Sequence, residues 1–453
     1  MEAGIDFGTT NSSLARFDGR QVRYFTLDKV NKDPRLLPSL IYIPKGRQPM
    51  VGFGAAKRYI DENVGRPIRY EKRFVGEIEI MVAGTGGSPI IYNEKIYAYE
   101  DVEAPGRFLQ SIKTVLRDES YQGTFVFQKH YMAEDLIALI LGKAKTQAEK
   151  TLDDSLTHVV LGRPVIFSQD DTIDTQAQNT LYEAARQAGF KEVTFELEPV
   201  AAAYSYHVQA TTRQTALVFD FGGGTLDFTV VRLGGQQAPE VIAPQGVLLG
   251  GDDIDRRIVR AMEKYFGAGT SFRPGLGEQE LPFPKYLSSH IQDWQTLLEL
   301  ATPENEQIIS NALRTSSNPL RIKALKSLVN NNLGFSLRNE AERAKIALSD
   351  NLIAVFSFKG PDINISETYT RTRLDNQIRH TLQQINGGLD ELLKKAGVRD
   401  DQIDVVLRTG GSASIPLYQD LLKERFSADK IIVQDAFTSI TAGLAIVAQE
   451  RYG

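Results

Sequence analysis

The chain has no cysteine, which removes disulfide frameworks, thiolate nucleophiles and thiolate metal ligands at a stroke. Histidine is almost as scarce, and its five copies stand singly, none at metal-ligand spacing. No apolar run reaches the roughly twenty residues of a membrane span. Neither sign of charge dominates: 52 basic and 57 acidic side chains are interspersed to a net −5, so the basic stripe of a nucleic-acid partner is missing. The N-terminus enters a strand at once, with no signal-peptide pattern, and the whole reads as a soluble cytoplasmic protein. What remains is ordinary globular composition, 42% hydrophobic, over 453 residues. A single core stops growing at about 250–300 residues, so more than one compact unit is expected.

The most informative stretch is 217–231, where Leu217–Phe219 and Phe228–Val231 are apolar strand formers around Asp220, Phe221, Gly222, Gly223, Gly224, Thr225 and Asp227. Consecutive glycines let a ligand touch the backbone, and successive bare N–H groups make a concavity for phosphate. The plan occurs again near the N-terminus, where Gly4–Ile5 deliver Asp6, followed by Phe7, Gly8, Thr9, Thr10 and Asn11 and then a second strand. Two aspartate-tipped hairpins far apart in sequence imply a duplicated lobe, with one nucleotide clamped between the turns. No G-x-x-x-x-G-K-[ST] follows a strand, so this is not a P-loop. Each turn enters a strand rather than a helix, so it is not a Rossmann fingerprint either.

On those two signatures, Ile5–Ser12 and Asp220–Asp227, the chain resembles the ATPase domain of the DnaK-type (heat-shock seventy) chaperones, within the actin, hexokinase and chaperone superfamily. The likeness runs along essentially the whole chain, which ends where that ATPase domain ends, as in short YegD-like members. It implies an α/β, actin-like ATPase fold: two RNase H-like lobes, each with a smaller subdomain, and a nucleotide in the central cleft. Lobe I would be 1–211, with a subdomain near 39–128 and the 433–453 helix returning to it. Lobe II would be 212–432, with a subdomain near 250–370.

The resemblance also implies roles. Gly8, Thr9, Thr10, Asn11, Gly222, Gly223, Gly224 and Thr225 would cradle the phosphates of ATP or ADP. Asp6, Asp220 and Glu198 would hold Mg²⁺, largely through water, and Asp227 could help hold a monovalent cation such as K⁺. Lys72, in Lys72–Gly76 like the family's K-R-x-x-G, would be the catalytic lysine beside the γ-phosphate; Glu198 and Asp220 would position water. Gly250 and Gly251 would cradle the nucleotide from the second lobe, and Glu342, Lys345, Ser349, Gly410, Gly411 and Ser412 would take the sugar and base. Each of these also has a plain structural reading: a surface Lys–Arg pair at Lys72, a helix-dipole carboxylate at Glu198, a solvated helix face at 342–349.

The departures are specific. Ile346 and Ser414 stand where the family has arginines stacking on adenine, which implies weaker or altered base binding. Pro164 is present, but 169–176 offers no arginine for the family's relay, and no peptide-binding domain follows Gly453. Residues 265–335 read as a helical insertion, with 272–284 a Pro/Gly-rich loop and helices at 287–300 and 320–329, the only tryptophan, Trp294, lying on the first. Residues 83–88 read as a plain glycine-rich loop. The expected function is a slowly hydrolysing, chaperone-like ATPase with an unknown client or co-chaperone, reached through the insertion. The rivals are a nucleotide-gated scaffold without useful hydrolysis, a small-molecule kinase of the superfamily, and a filament-forming relative.

Overall fold

A computed structural model describes residues 1–66, 69–82, 90–168, 170–275, 278–294, 296–435 and 438–453. The loop expected at 83–88 and position 169 of the 169–176 stretch therefore lie outside the described residues.

Two large sheets repeat one plan. In the first, Glu192–Leu197, His158–Arg163, Glu2–Phe7, Asn11–Phe17 and Val22–Tyr24 lie side by side, and Leu36–Pro38 also pairs with Asn11–Phe17. In the second the order is Ile431–Val433, Val405–Thr409, Gln214–Phe221, Leu226–Leu233 and Glu240–Val247. In both, the first strand pairs antiparallel with the strand after its glycine turn and parallel with a strand that arrives much later. Shared order and shared polarity make the halves structural duplicates, the α/β, actin-like architecture implied by the hairpins.

The central strands are buried on both faces, so period-2 alternation sorts residues between two apolar environments. Leu217, Phe219 and Phe221 enter the core of the second half, whereas Ala216 and Val218 enter a smaller core shared with the first. Asp220 continues the second set. In the first half Ala3, Ile5 and Phe7 enter the outer core, which leaves Gly4 and Asp6 on the opposite face. The two aspartates thus stand at strand tips on the faces that the sheets turn toward each other.

Two helices fill the space between those faces. Glu198–His207 begins with a proline at its first turn, and Ser439–Tyr452 crosses it. Both are small-residue-rich at the crossing: a Cβ on Gly443 would stand 1.7 Å from the Ala201 carbonyl oxygen, so only glycine permits this approach.

Amphipathic helices form at Ala133–Leu152 and Asp171–Gln187. The insertion differs in detail. A helix forms at Pro319–Asn330, but 285–301 is broken into Lys285–Ser289 and two short 3₁₀ turns, and the 272–284 loop contains a small strand pair, Ser271–Phe272 with Leu281–Pro282. Pro282 and Pro284 flank Phe283 there, and prolines interrupt regular pairing and helix initiation alike.

The inserted segment reaches across the molecule. Trp294 packs edge-on to Phe335, with ring centroids 5.4 Å apart, and lies 5.7 Å from Phe108 of the strand Gly106–Gln110. Phe108 in turn stacks on Tyr59 at 4.5 Å. The Asn332 side chain donates to the Tyr59 hydroxyl at 2.8 Å and the Gly65 N–H to the Asn331 carbonyl at 3.2 Å. This aromatic bridge joins the 40–110 region to the helix Gly334–Asp350. No described helix is long and apolar enough to cross a membrane.

Phe108→Ala removes the ring that touches three others. It is expected to destabilise the protein by about 3 kcal/mol, the scale of aromatic truncation in a core, and to shift Trp294 emission to the red. Unchanged emission and an unchanged denaturation midpoint would show that the bridge is not packed in solution.

Candidate functional site

Both glycine turns open on one cavity of about 930 Å³. Its wall includes Asp6, Gly8, Thr9, Thr10 and Asn11 from the first turn and Asp220 and Gly222–Thr225 from the second. The turns nearly touch: a Cβ on Gly223 would stand 2.5 Å from the Thr10 hydroxyl, so a side chain there would displace the facing turn. Backbone bonds hold each in shape. The Ser39 hydroxyl donates to the Gly8 carbonyl at 2.7 Å, and the Gly222 N–H to the Thr225 carbonyl at 3.0 Å. The N–H groups of Gly223 and Gly224 find no backbone acceptor among the described residues. Donors left open in a glycine concavity suit an anion.

Three carboxylates stand in the cavity wall and a fourth, Asp227, just behind it. Asp6, Asp220, Asp227 and Glu198 are largely buried, around the Lys113 ammonium, whose Nζ donates to Glu198 Oε1 at 2.6 Å. Burial, and next the Glu198 charge, push Asp6 and Asp227 up to about 7. Burial and the charges of Glu198, Asp227 and Asp6 hold Asp220 well above its ordinary value. Burial pulls Lys113 down, but Glu198 and Asp6 more than offset it, so its pKa is raised and the lysine stays charged. One ammonium among four carboxylates leaves a surplus of negative charge. No three carboxylate or imidazole groups among the described residues converge to ligate an ion directly. The site therefore fits a cation held through its own water, as magnesium prefers.

The expected residues are distributed as follows. Glu342, Lys345, Gly410, Gly411 and Ser412 line the cavity, as do Ile346 and Ser414 in place of arginines. Lys345 Nζ donates to the Gly251 carbonyl at 3.2 Å and to Asp255 at 3.0 Å, tying the helix Gly334–Asp350 to the helix Gly251–Met262. Gly250 and Gly251 are not in the wall. They pack behind the second turn, where the Gly251 N–H donates to the Gly222 carbonyl at 3.0 Å and the Ser412 hydroxyl donates to the same oxygen at 3.0 Å. Ser349 is also off the wall, its hydroxyl donating back to the Lys345 carbonyl at 3.3 Å. Asp227 lies behind the turn and accepts from the Thr225 hydroxyl at 2.9 Å.

One further expected residue stands away from the cavity. Lys72 is exposed on the strand Tyr70–Val82, opposite Tyr99 in a two-stranded sheet, and does not line the cavity. Lys113, which pairs with Glu198 in the cavity wall, stands on the 3₁₀ helix Ile112–Arg117 directly after the strand Gly106–Gln110. The Lys–Arg pair at 72–73 is carried instead on a long hairpin. In sequence Ser111–Arg117 reads as an ordinary short helix, and the one signal for Lys113 is that buried Ile112 and Leu116 anchor a turn whose basic residues, Lys113 and Arg117, both line the cavity.

The match of this chain to known proteins is broad. The family model described as Hsp70 protein matches residues 2–272 and 323–451. Residues 273–322, within the inserted region, fall outside that match. The Chaperone protein DnaK of Thermus thermophilus is 27% identical over 422 residues, 93% of this chain and 56% of its own length, in each of two strains. Heat shock 70 kDa protein 7, chloroplastic, of Arabidopsis thaliana is 26% identical over 456 residues, 98% of this chain and 51% of its own length. The chain spans about half the length of the curated relatives it matches.

The buried carboxylates give a pH signature to the metal-free protein. Between the ordinary value of 3.8 and about 7, the folded site keeps protons on Asp6 and Asp227 that the unfolded chain has released, so stability falls as pH rises through that window. Magnesium-free protein is expected to melt a few degrees higher at about pH 5.5 than at about pH 7.5. Asp220→Asn is expected to raise the melting temperature at the higher pH. Flat melting across both pH values, with no gain in the variant, would show that the carboxylates do not repel.

Proposed function

Because the chain belongs to the Hsp70 protein family, we propose that it is a chaperone-type ATPase that binds Mg-ATP between its two duplicated sheets and hydrolyses it slowly. The observation that carries this is the meeting of both glycine turns, Asp6, Asp220 and the Lys113–Glu198 pair on the wall of one cavity.

Each group then has a task. The open N–H groups of the second turn and the hydroxyls of Thr9 and Thr10 hold the phosphates, with Thr225 closing the turn. Asp6, Asp220 and Glu198 would hold a magnesium ion through water, and that ion would neutralise phosphate charge. Lys113 steadies the terminal phosphate, a role expected of the family's lysine and better served by its place in the cleft than by Lys72. Glu198, kept in place by Lys113, orients the attacking water, and Asp220 is the second candidate for that task. Phosphoryl transfer asks mostly for positioning and charge stabilisation, which such a rigid acidic floor with a single ammonium supplies. Asp227 could help hold potassium. The lobes, 1–211 and 212–432, would close on the nucleotide, and closure would carry the signal to a client or co-chaperone, with the inserted segment as the contact.

A second reading rests on a specific feature. Ile346 and Ser414 offer the base no guanidinium to stack on. Such contacts are worth about 0.5–2 kcal/mol each, so weak nucleotide binding without useful hydrolysis, a gated scaffold, is the alternative.

Titration calorimetry of Mg-ATP and Mg-ADP, with phosphate release followed on the same sample, separates the two. Binding with slow release supports the ATPase, and binding with no release at long times supports the scaffold. Lys113→Ala is expected to lower turnover roughly a hundredfold, while Lys72→Ala leaves it unchanged. The reverse pattern would return the role to Lys72.

A further inference from the structure

Resting on that reading, we propose that Arg117 is a second cation on the terminal phosphate of ATP, a catalytic residue through which the site distinguishes triphosphate from diphosphate. Arg117 ends the 3₁₀ helix that carries Lys113, is half-buried, and lines the same cavity. Its Nη2 lies 3.2 Å from where a Cβ on Gly224 would stand, and the Thr9 hydroxyl lies 3.1 Å from the same point. Guanidinium, hydroxyl and glycine backbone, from three separate elements, thus converge where the two turns face each other.

The guanidinium has no hydrogen-bond or ion-pair partner among the described residues, and that sets it apart from its neighbours. Arg338 pairs with Asp252 at 2.8 Å and Glu342 at 3.1 Å, and Arg163 pairs with Asp174 at 2.6 Å. Burial pulls the Arg117 pKa down, and the nearby charges of Asp227, Asp253 and Asp252 only partly offset that. A planar fork of donors held half-dry and left open beside a phosphate turn matches the bidentate geometry of phosphoryl oxygens.

In the reaction, a water oxygen bonds to the γ-phosphorus and the bond from that phosphorus to the β,γ-bridging oxygen breaks. ADP leaves with the electron pair, and the water's proton passes to solvent. Charge spreads over the γ-oxygens during transfer, and Arg117 meets it beside the second glycine turn without exchanging a proton.

The test uses the whole chain with Arg117→Ala and Arg117→Lys. Mg-ADP is titrated alone and then with beryllium fluoride, a stand-in for the γ-phosphate, and phosphate release from Mg-ATP is measured. Arg117→Ala is expected to bind Mg-ADP within about twofold of wild type. It should lose about tenfold or more of the gain from beryllium fluoride, the scale of a lost charge-assisted hydrogen bond. Turnover should fall roughly ten- to a thousandfold. Arg117→Lys should recover part of the loss, and added guanidinium should partly rescue the alanine variant. Retained Mg-ADP binding also certifies the fold. Equal weakening of both states would overturn the proposal and make Arg117 a contact closing on Asp252 and Asp253. No change in either state would overturn it too. Failure of the wild-type chain to bind Mg-ATP would remove the underlying reading along with it.

Discussion

Unneutralised charge in a buried cleft is the constraint on which this molecule depends. Four carboxylates outnumber the Lys113 and Arg117 cations beside them in a space largely shielded from water, and burial raises Asp6, Asp220 and Asp227 above their usual range. Taking carboxylates out of water is costly unless something pairs with them. The fold bears that cost by holding them on rigid strand tips and behind hydrogen-bonded glycine turns. A cation and an anion arriving together would complete such a site, as the proposed metal-bound nucleotide phosphate does.

Rigidity comes from duplication. Each half presents a strand whose alternate residues enter an outer core while the others face the opposing half, so both aspartates emerge on inward faces without any special device. The helices Glu198–His207 and Ser439–Tyr452 then set the distance between the sheets, and the glycine at position 443 allows them to cross at backbone contact. The aromatic bridge from Trp294 to Tyr59 adds a second tie far along the chain from the first. Opening of the cleft on that side has to unstack it, so the inserted segment weighs on how easily the halves part.

Much of this was legible in the sequence because the two hairpins carry local signals: apolar runs, a glycine turn, an aspartate at the strand tip, and the same order twice. The fold class, and the meeting of the two glycine turns at one cavity, followed from those. The lysine did not. Lys72 sits in a pattern like the family's, yet it lies on an exposed hairpin, and Lys113 supplies the cleft ammonium from a stretch with no distinctive spacing. Which lysine reaches a cleft is settled by tertiary packing, which local patterns do not encode. Gly250 and Gly251 were placed at the nucleotide but support the turn from behind, because a strand-to-helix glycine pair serves close backbone packing as readily as ligand contact. The broken helices of 285–301 escaped for a similar reason: apolar residues with helical spacing pack into the core as short turns between prolines.

The most direct measurement is a crystal structure of the chain grown with Mg-ADP and beryllium fluoride. The expected result is a fluoride group lying between Thr9 and Gly224, with a hydrated magnesium ion facing Asp6 and Asp220 and Lys113 against the fluorides. A nucleotide bound away from the two glycine turns, or a phosphate site bare of metal above the aspartates, would contradict it.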